Sequence, residues 1–131
     1  MIEYRHIHKA YHGNIIIEDL NLTVKDGEFV VLIGPSGCGK TTTLKMLNRL
    51  ISNEKGDILI DGKDIRSMNL TQLRTSIGYV IQQIGLFPNM TVQQNIAVVP
   101  KLLKWEKTRI QNRVKELLMM VDMPYETYAN K

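Results

Sequence analysis

Apolar positions in the first third of the chain fall in short runs separated by turn residues. Ile2 to His8, Ile15 to Ile17 and Leu20 to Val24 read as strands, closed by an Asp26-Gly27 turn. Phe29-Val30-Val31-Leu32-Ile33 is continuously apolar and lies between Gly27 and Gly34. That pattern predicts a strand buried on both faces of a mostly parallel sheet. The period changes at Thr41: Leu44, Leu47 and Ile51, with Met46 and Leu50 beside them, fit a helix buried along one side. Asp57 to Ile60 is a further strand, and Asp61-Gly62 a tight-turn signal. Asn69 or Ser67 caps a short helix through Leu73, and Ile77 to Ile81 is a second buried strand. A loop rich in Gln, Gly and Pro runs from Gln82 to Met90, after which Thr91 caps a helix through about Val98. A longer helix from about Lys107 to Asp122 carries Ile110, Val114, Leu117, Leu118 and Val121 on one face. Met119, Met120 and Met123 thicken that face as core filler. Pro124 ends it, and the last seven residues read as loop.

Composition narrows the class. The chain has 131 residues, 44% hydrophobic and 23% charged, which suits a folded domain with a core rather than a disordered segment. Its longest unbroken aliphatic or aromatic run is Phe29 to Ile33, far short of the roughly 20 residues of a membrane span. Met1-Ile2-Glu3-Tyr4-Arg5 is charged at once, so no signal peptide is expected and the cytoplasm is the expected site of action. Cys38 is the single cysteine, which excludes an internal disulfide and gives no metal-site spacing. The net charge of +4 is concentrated in Lys101 to Lys115, where six basic residues face only Glu106. Without a broad basic face and interleaved aromatics, this reads as the solvated side of a helix, and no nucleic-acid partner is expected. His6 and His8 share a strand face, but with no third ligand they read as an exposed edge rather than a metal site.

One motif carries chemistry. Gly34-Pro35-Ser36-Gly37-Cys38-Gly39-Lys40-Thr41 matches the phosphate-binding loop G-x-x-x-x-G-K-[ST], and it sits between a predicted strand and a predicted helix, as the mechanism requires. The glycines permit backbone angles that turn successive N–H groups toward phosphate oxygens. Lys40 brings a compact positive charge to the β- and γ-phosphates, and Thr41 offers a hydroxyl to Mg²⁺. The helix starting here points its positive end at the same phosphates. Ser36 and Thr42 are placed to add hydroxyl contacts, while Cys38 fills an unconstrained position.

Gly27-Glu28-Phe29 leading into the loop, with Tyr11 upstream and Gln82 downstream, resembles the ATP-binding subunit of ATP-binding-cassette (ABC) transporters over essentially the whole chain. The resemblance implies an α/β phosphate-loop ATPase core with an N-terminal antiparallel β subdomain and the start of a helical subdomain, divided at about 1–90 and 91–131. It implies that Tyr11 stacks on adenine, and that Gln82 joins Lys40 in the catalytic machinery and Thr41 at Mg²⁺. The segment Gln82 to Asn95 is similar to the loop that senses the transmembrane partner. Implied partners are ATP with Mg²⁺, integral membrane permease subunits and a second ATPase subunit, at the cytoplasmic face of the membrane. More narrowly, Thr41 to Ile51, Gly78 to Pro88 and Val99-Pro100-Lys101-Leu102-Leu103 look like the importers of quaternary amines such as glycine betaine, carnitine and choline.

The sequence departs from that family's pattern in three motifs. It holds no LSGGQ signature, no Walker B strand ending in Asp and a catalytic Glu, and no switch His after the loop. Ile58-Leu59-Ile60-Asp61 runs into Gly62 and reads as a hairpin, and Leu118-Met119-Met120-Val121-Asp122 lies in a helical pattern. The chain is therefore expected to bind ATP without hydrolysing it alone. A GTPase would want N-K-x-D after an apolar strand, and the only Asn-Lys is Asn130-Lys131. A small-molecule kinase would make Tyr11 and Gln82 coincidences. The remaining rivals are a soluble ABC protein acting on nucleic acid or ribosomes, and a non-catalytic binding fragment.

Overall fold

The computed structural model describes residues 1–83 and 85–131, in two compact units, Met1–Ile77 and Gly78–Lys131. The first unit is built on a four-stranded antiparallel sheet in the order β2-β1-β3-β4, with β1 Ile2–Tyr11, β2 Asn14–Val24, β3 Lys55–Ile60 and β4 Lys63–Asp64. The two short strands expected over residues 15–24 are one strand, β2. It is joined to β1 by His12 and Gly13, both at positive φ (49° and 83°), the two-residue turn whose twist matches that of the strands. The expected hairpin at Asp61-Gly62 links β3 to β4 in the same way, with φ of 50° and 76°.

A bulge at His6 (φ 50°) shifts the β1 register between Tyr4 and Ile7, so two residues three apart both face the core. Around them pack Ile17, Ile58, Ile65, Met46 of α1 (Lys40–Leu47) and Leu73 of α2 (Leu70–Ser76). The Tyr4 hydroxyl donates to the Thr43 carbonyl (3.2 Å), tying sheet to α1, and burial pushes its pKa up to about 12. Asn69 caps α2, its side chain accepting from the Thr71 and Gln72 N–H groups. The bulge also separates the two histidines: His6 Nδ1 meets Asp19 (3.0 Å) and His8 Nδ1 the Glu18 carbonyl (3.1 Å). Among the described residues no group of three or more His, Cys, Asp or Glu is placed to hold a metal ion.

Two predicted strands are not strands. Phe29–Ile33 and Ile77–Ile81 form no ladder, and Phe29, Ile33 and Val80 are 90%, 92% and 95% exposed. A strand buried on both faces needs a hydrogen-bonded neighbour on each side. Among the described residues neither segment has one, so apolarity alone does not make a strand of it. For the same reason the buried side of α1 is Thr43 and Met46, while Leu44 and Leu50 stand exposed. Leu44, Phe29 and Val30 border an open apolar groove of about 290 Å³ beside β1 and β2.

The second unit is helical, with α3 Val92–Ile96, α4 Val98–Leu102, α5 Lys107–Met120 and α6 Tyr125–Tyr128. Thr91 and Gln94 form a reciprocal capping box at the start of α3. Ile110, Val114 and Leu118 of α5 are buried with Ala97 and Ala129, and Met123 and Tyr125 pack against them. Val121, Met119 and Met120 are exposed rather than core filler. The stripe at spacing four excludes the two methionines, and the chain then reverses: Asp122 takes φ 55° and the Met123 N–H returns to the Leu118 carbonyl (2.9 Å). Met123 is folded inward by that turn, whereas Met119 and Met120 precede it. Residues 125–128, expected as loop, form the short helix α6. Among the described residues no helix is long and apolar enough to cross a membrane.

Candidate functional site

The segment Gly34 to Gly39 leads into α1 as an open loop. Gly34, Pro35, Ser36, Gly37, Cys38 and Thr41 are exposed, Thr42 and Lys40 are half-buried, and Gly39 is buried. Gly37 and Gly39 take φ of 84° and 97°, and no side chain caps the first turn of α1. Its leading N–H groups are therefore free to meet an anion. Gly39 is also fixed by space: a Cβ there would lie 2.9 Å from Ile17 Cγ1 and 3.3 Å from Ile16 Cγ2 on β2. Thr43 anchors the other side, its N–H and hydroxyl both donating to the Gly39 carbonyl (2.8 and 2.9 Å).

Lys40 is hooked back over its own loop. Its Nζ donates to the carbonyls of Gly34 (2.6 Å) and Pro35 (2.8 Å) and lies 3.6 Å from Cys38 Sγ. The ammonium is thus held inside the curve of the backbone, where an incoming anion would exchange neutral carbonyls for charged oxygens. The cradle and its cation suit the phosphates of a nucleotide, and the Thr41 hydroxyl beside them suits a hard cation such as Mg²⁺.

Tyr11 closes β1 at the hairpin tip, paired with Asn14, two and three residues before the Ile16 and Ile17 that touch Gly39. Lys9 Nζ sits 4.8 Å from its ring centroid. Lys9 is buried and paired with Glu54 (2.7 Å), whose second oxygen accepts from the Ala10 N–H (2.7 Å). These contacts hold the Glu54 carboxyl below the usual carboxylate range, chiefly through the Lys9 hydrogen bond. Sequence reasoning missed both residues, because strict alternation cannot anticipate the bulge that turns Lys9 inward. Gln82, in the second unit, is exposed at a bend. After it, Asn95 staples the loop ahead of α3: its Nδ2 donates to the carbonyls of Phe87, Met90 and Thr91, and its Oδ1 accepts from the Phe87 N–H. That asparagine was also missed, since nothing in its neighbours marks it.

A sequence-family model described as ABC transporter matches residues 17–130. The chain belongs to the ABC transporter family. It is 54% identical over 127 residues to the carnitine transport ATP-binding protein OpuCA of Listeria monocytogenes, covering 96% of this chain and 32% of that protein. It is 53% identical over 124 residues to the choline transport ATP-binding protein OpuBA of Bacillus subtilis, covering 94% of this chain and 32% of the relative. The ABC chain thus spans about a third of the length of the curated relatives it matches. Among solved structures, the ATP-binding cassette MJ0796, a dimer in a post-hydrolysis state bound to ADP and Pi, aligns with TM-score 0.81 at 27% identity. All of this chain and 61% of that one are covered. The fold is that of an ABC ATPase cassette, and the antiparallel sheet with the helical unit after it is the arrangement the resemblance implied.

Proposed function

We propose that this chain is the nucleotide-gripping segment of an ATP-binding subunit that powers an importer of quaternary amines. The observation that carries the reading is the Gly34–Thr42 loop, with Lys40 Nζ inside it and an uncapped helix behind it. In this reading the backbone of Gly34 to Gly39, with Ser36 and Thr42, grips the phosphates of ATP, and Tyr11 stacks on the base. Lys40 neutralises the terminal phosphates, and Thr41 would offer its hydroxyl to Mg²⁺, which would supply further charge neutralisation; a role for Gln82 toward Mg²⁺ rests on the family resemblance alone. Support for the importer class comes from the relatives at about half identity, which are named for carnitine and choline transport. In the whole protein the partners are membrane permease subunits and a second copy of the ATPase, working at the cytoplasmic face. The dimeric state of the MJ0796 cassette supports that pairing.

Residues 1–131 contain no signature motif, no Walker B carboxylates and no histidine after the loop. Phosphoryl transfer depends on placing such groups around the γ-phosphate and the attacking water. The chain alone should therefore bind Mg²⁺-ATP and leave it intact. The test measures nucleotide binding and phosphate release by residues 1–131 beside a full-length OpuCA-type protein. Binding without release supports the reading, and turnover equal to that of the full-length protein contradicts it.

A further inference from the structure

We infer that Glu54 and Lys9 are positioning residues for the Tyr11 ring, holding it ready for a purine base. The inference rests on the proposal that Tyr11 stacks on the base, and it concerns side chains that the phosphate loop does not use. Glu54 grips β1 at three consecutive residues. Its own N–H donates to the His8 carbonyl (3.0 Å), and its carboxylate takes the Lys9 ammonium and the Ala10 N–H, both at 2.7 Å. The backbone is thus clamped up to the residue before Tyr11, although β1 has only the exposed His12-Gly13 turn beyond it.

The clamp also acts on the ring. The Lys9 side chain is only 9% exposed, so its ammonium is held in place rather than sweeping through solvent. It lies over one ring face at 4.8 Å, while Tyr11 as a whole stays 40% exposed and so open to a ligand. Two effects follow. The ring is fixed before a ligand arrives, which removes the ordering cost that a loose aromatic pays on binding. The cation also draws on the negative ring face, easing the face-to-face repulsion that opposes stacking. Glu54 balances the buried charge that makes both possible.

The test uses two probes, Mg²⁺-ATP and Mg²⁺-tripolyphosphate, which shares the phosphates and lacks the base. Affinities are measured for Glu54→Gln, Lys9→Met, Lys9→Arg and Tyr11→Ala, with thermal unfolding as a check on folding. Glu54→Gln and Lys9→Met should weaken ATP about 3- to 10-fold, the size of ordering one side chain on binding. Tripolyphosphate should be unchanged, and Lys9→Arg should keep ATP within about 2-fold because it retains the cation over the ring. Equal losses for both probes would mean a general structural role and overturn the inference. So would ATP binding unaltered in Glu54→Gln and Lys9→Met while Tyr11→Ala weakens it, an outcome that leaves the stacking proposal standing. If Tyr11→Ala itself binds ATP like the parent, the stacking proposal fails and the positioning role with it.

Discussion

Lys40→Ala should weaken Mg²⁺-ATP binding by about 10- to 150-fold, the loss of one charge-assisted contact worth about 1.5–3 kcal/mol. The ammonium is already in the loop, bonded to the Gly34 and Pro35 carbonyls at 2.6 and 2.8 Å. Binding therefore asks it to exchange partners rather than travel. Backbone N–H groups of the loop and of α1 carry only partial charges, so they cannot replace a full positive charge against a triphosphate. The fold should tolerate the change, because the two carbonyls released lie in an exposed loop where water replaces the ammonium. Titration of parent and variant with a fluorescent ATP analogue measures the effect. Equal affinities, with thermal unfolding unchanged, would remove the phosphate loop from the binding site.

The largest expected stability effect lies away from the loop, at Gly56. This residue sits in β3 opposite the His6 bulge with φ +84°, and an added Cβ would lie 2.3 Å from the His6 carbonyl oxygen and 2.4 Å from that of Arg5. Both obstacles are backbone, held in the β1–β3 ladder, so no side chain can swing away. Strain at positive φ costs about 1–3 kcal/mol, and overpacking a fixed structure adds about as much again. Gly56→Ala should thus cost about 3–5 kcal/mol, a fall in melting temperature on the order of 15 °C or more. Gly62→Ala is the control, since it has φ +76° but no atom within 4 Å of the new Cβ. It should show the backbone strain alone. If thermal unfolding finds the two variants alike, the close β1–β3 crossing at the bulge is wrong.

Features with a local cause were legible in the sequence. Thr91 sits where its cap was placed and Asn69 is one of the two residues offered for the other, because a cap is decided within three residues. Ile110, Val114 and Leu118 are buried on one side of α5, because helical period fixes which residues share a face. Asp61 and Asp122, which could be mistaken for the carboxylate that ends a nucleotide-site strand, were separated from it by pattern. They occupy a hairpin turn and the reversal after α5, each in the left-handed conformation.

What depended on distant partners was not legible. The apolar runs 29–33 and 77–81 carry the composition of buried strands, yet a strand is made by its neighbours, and composition does not say whether they are present. Lys9 was hidden by the His6 bulge, which breaks the period-two count, and Glu54 meets it from 45 residues away. The loop was visible as a motif because all of its parts are contiguous. The Lys9–Glu54 clamp behind Tyr11 was not, because it is assembled by sheet pairing.

Nucleotide entry at the Gly34–Thr42 loop can be followed residue by residue. Backbone amide NMR of the isotope-labelled 131-residue chain, titrated with Mg²⁺-ATP, tests it most directly. Saturable shifts are expected on the amides of Gly37 to Thr42, with smaller ones at Tyr11 and its hairpin. Shifts that saturate elsewhere while those loop amides stay still would contradict entry at the loop.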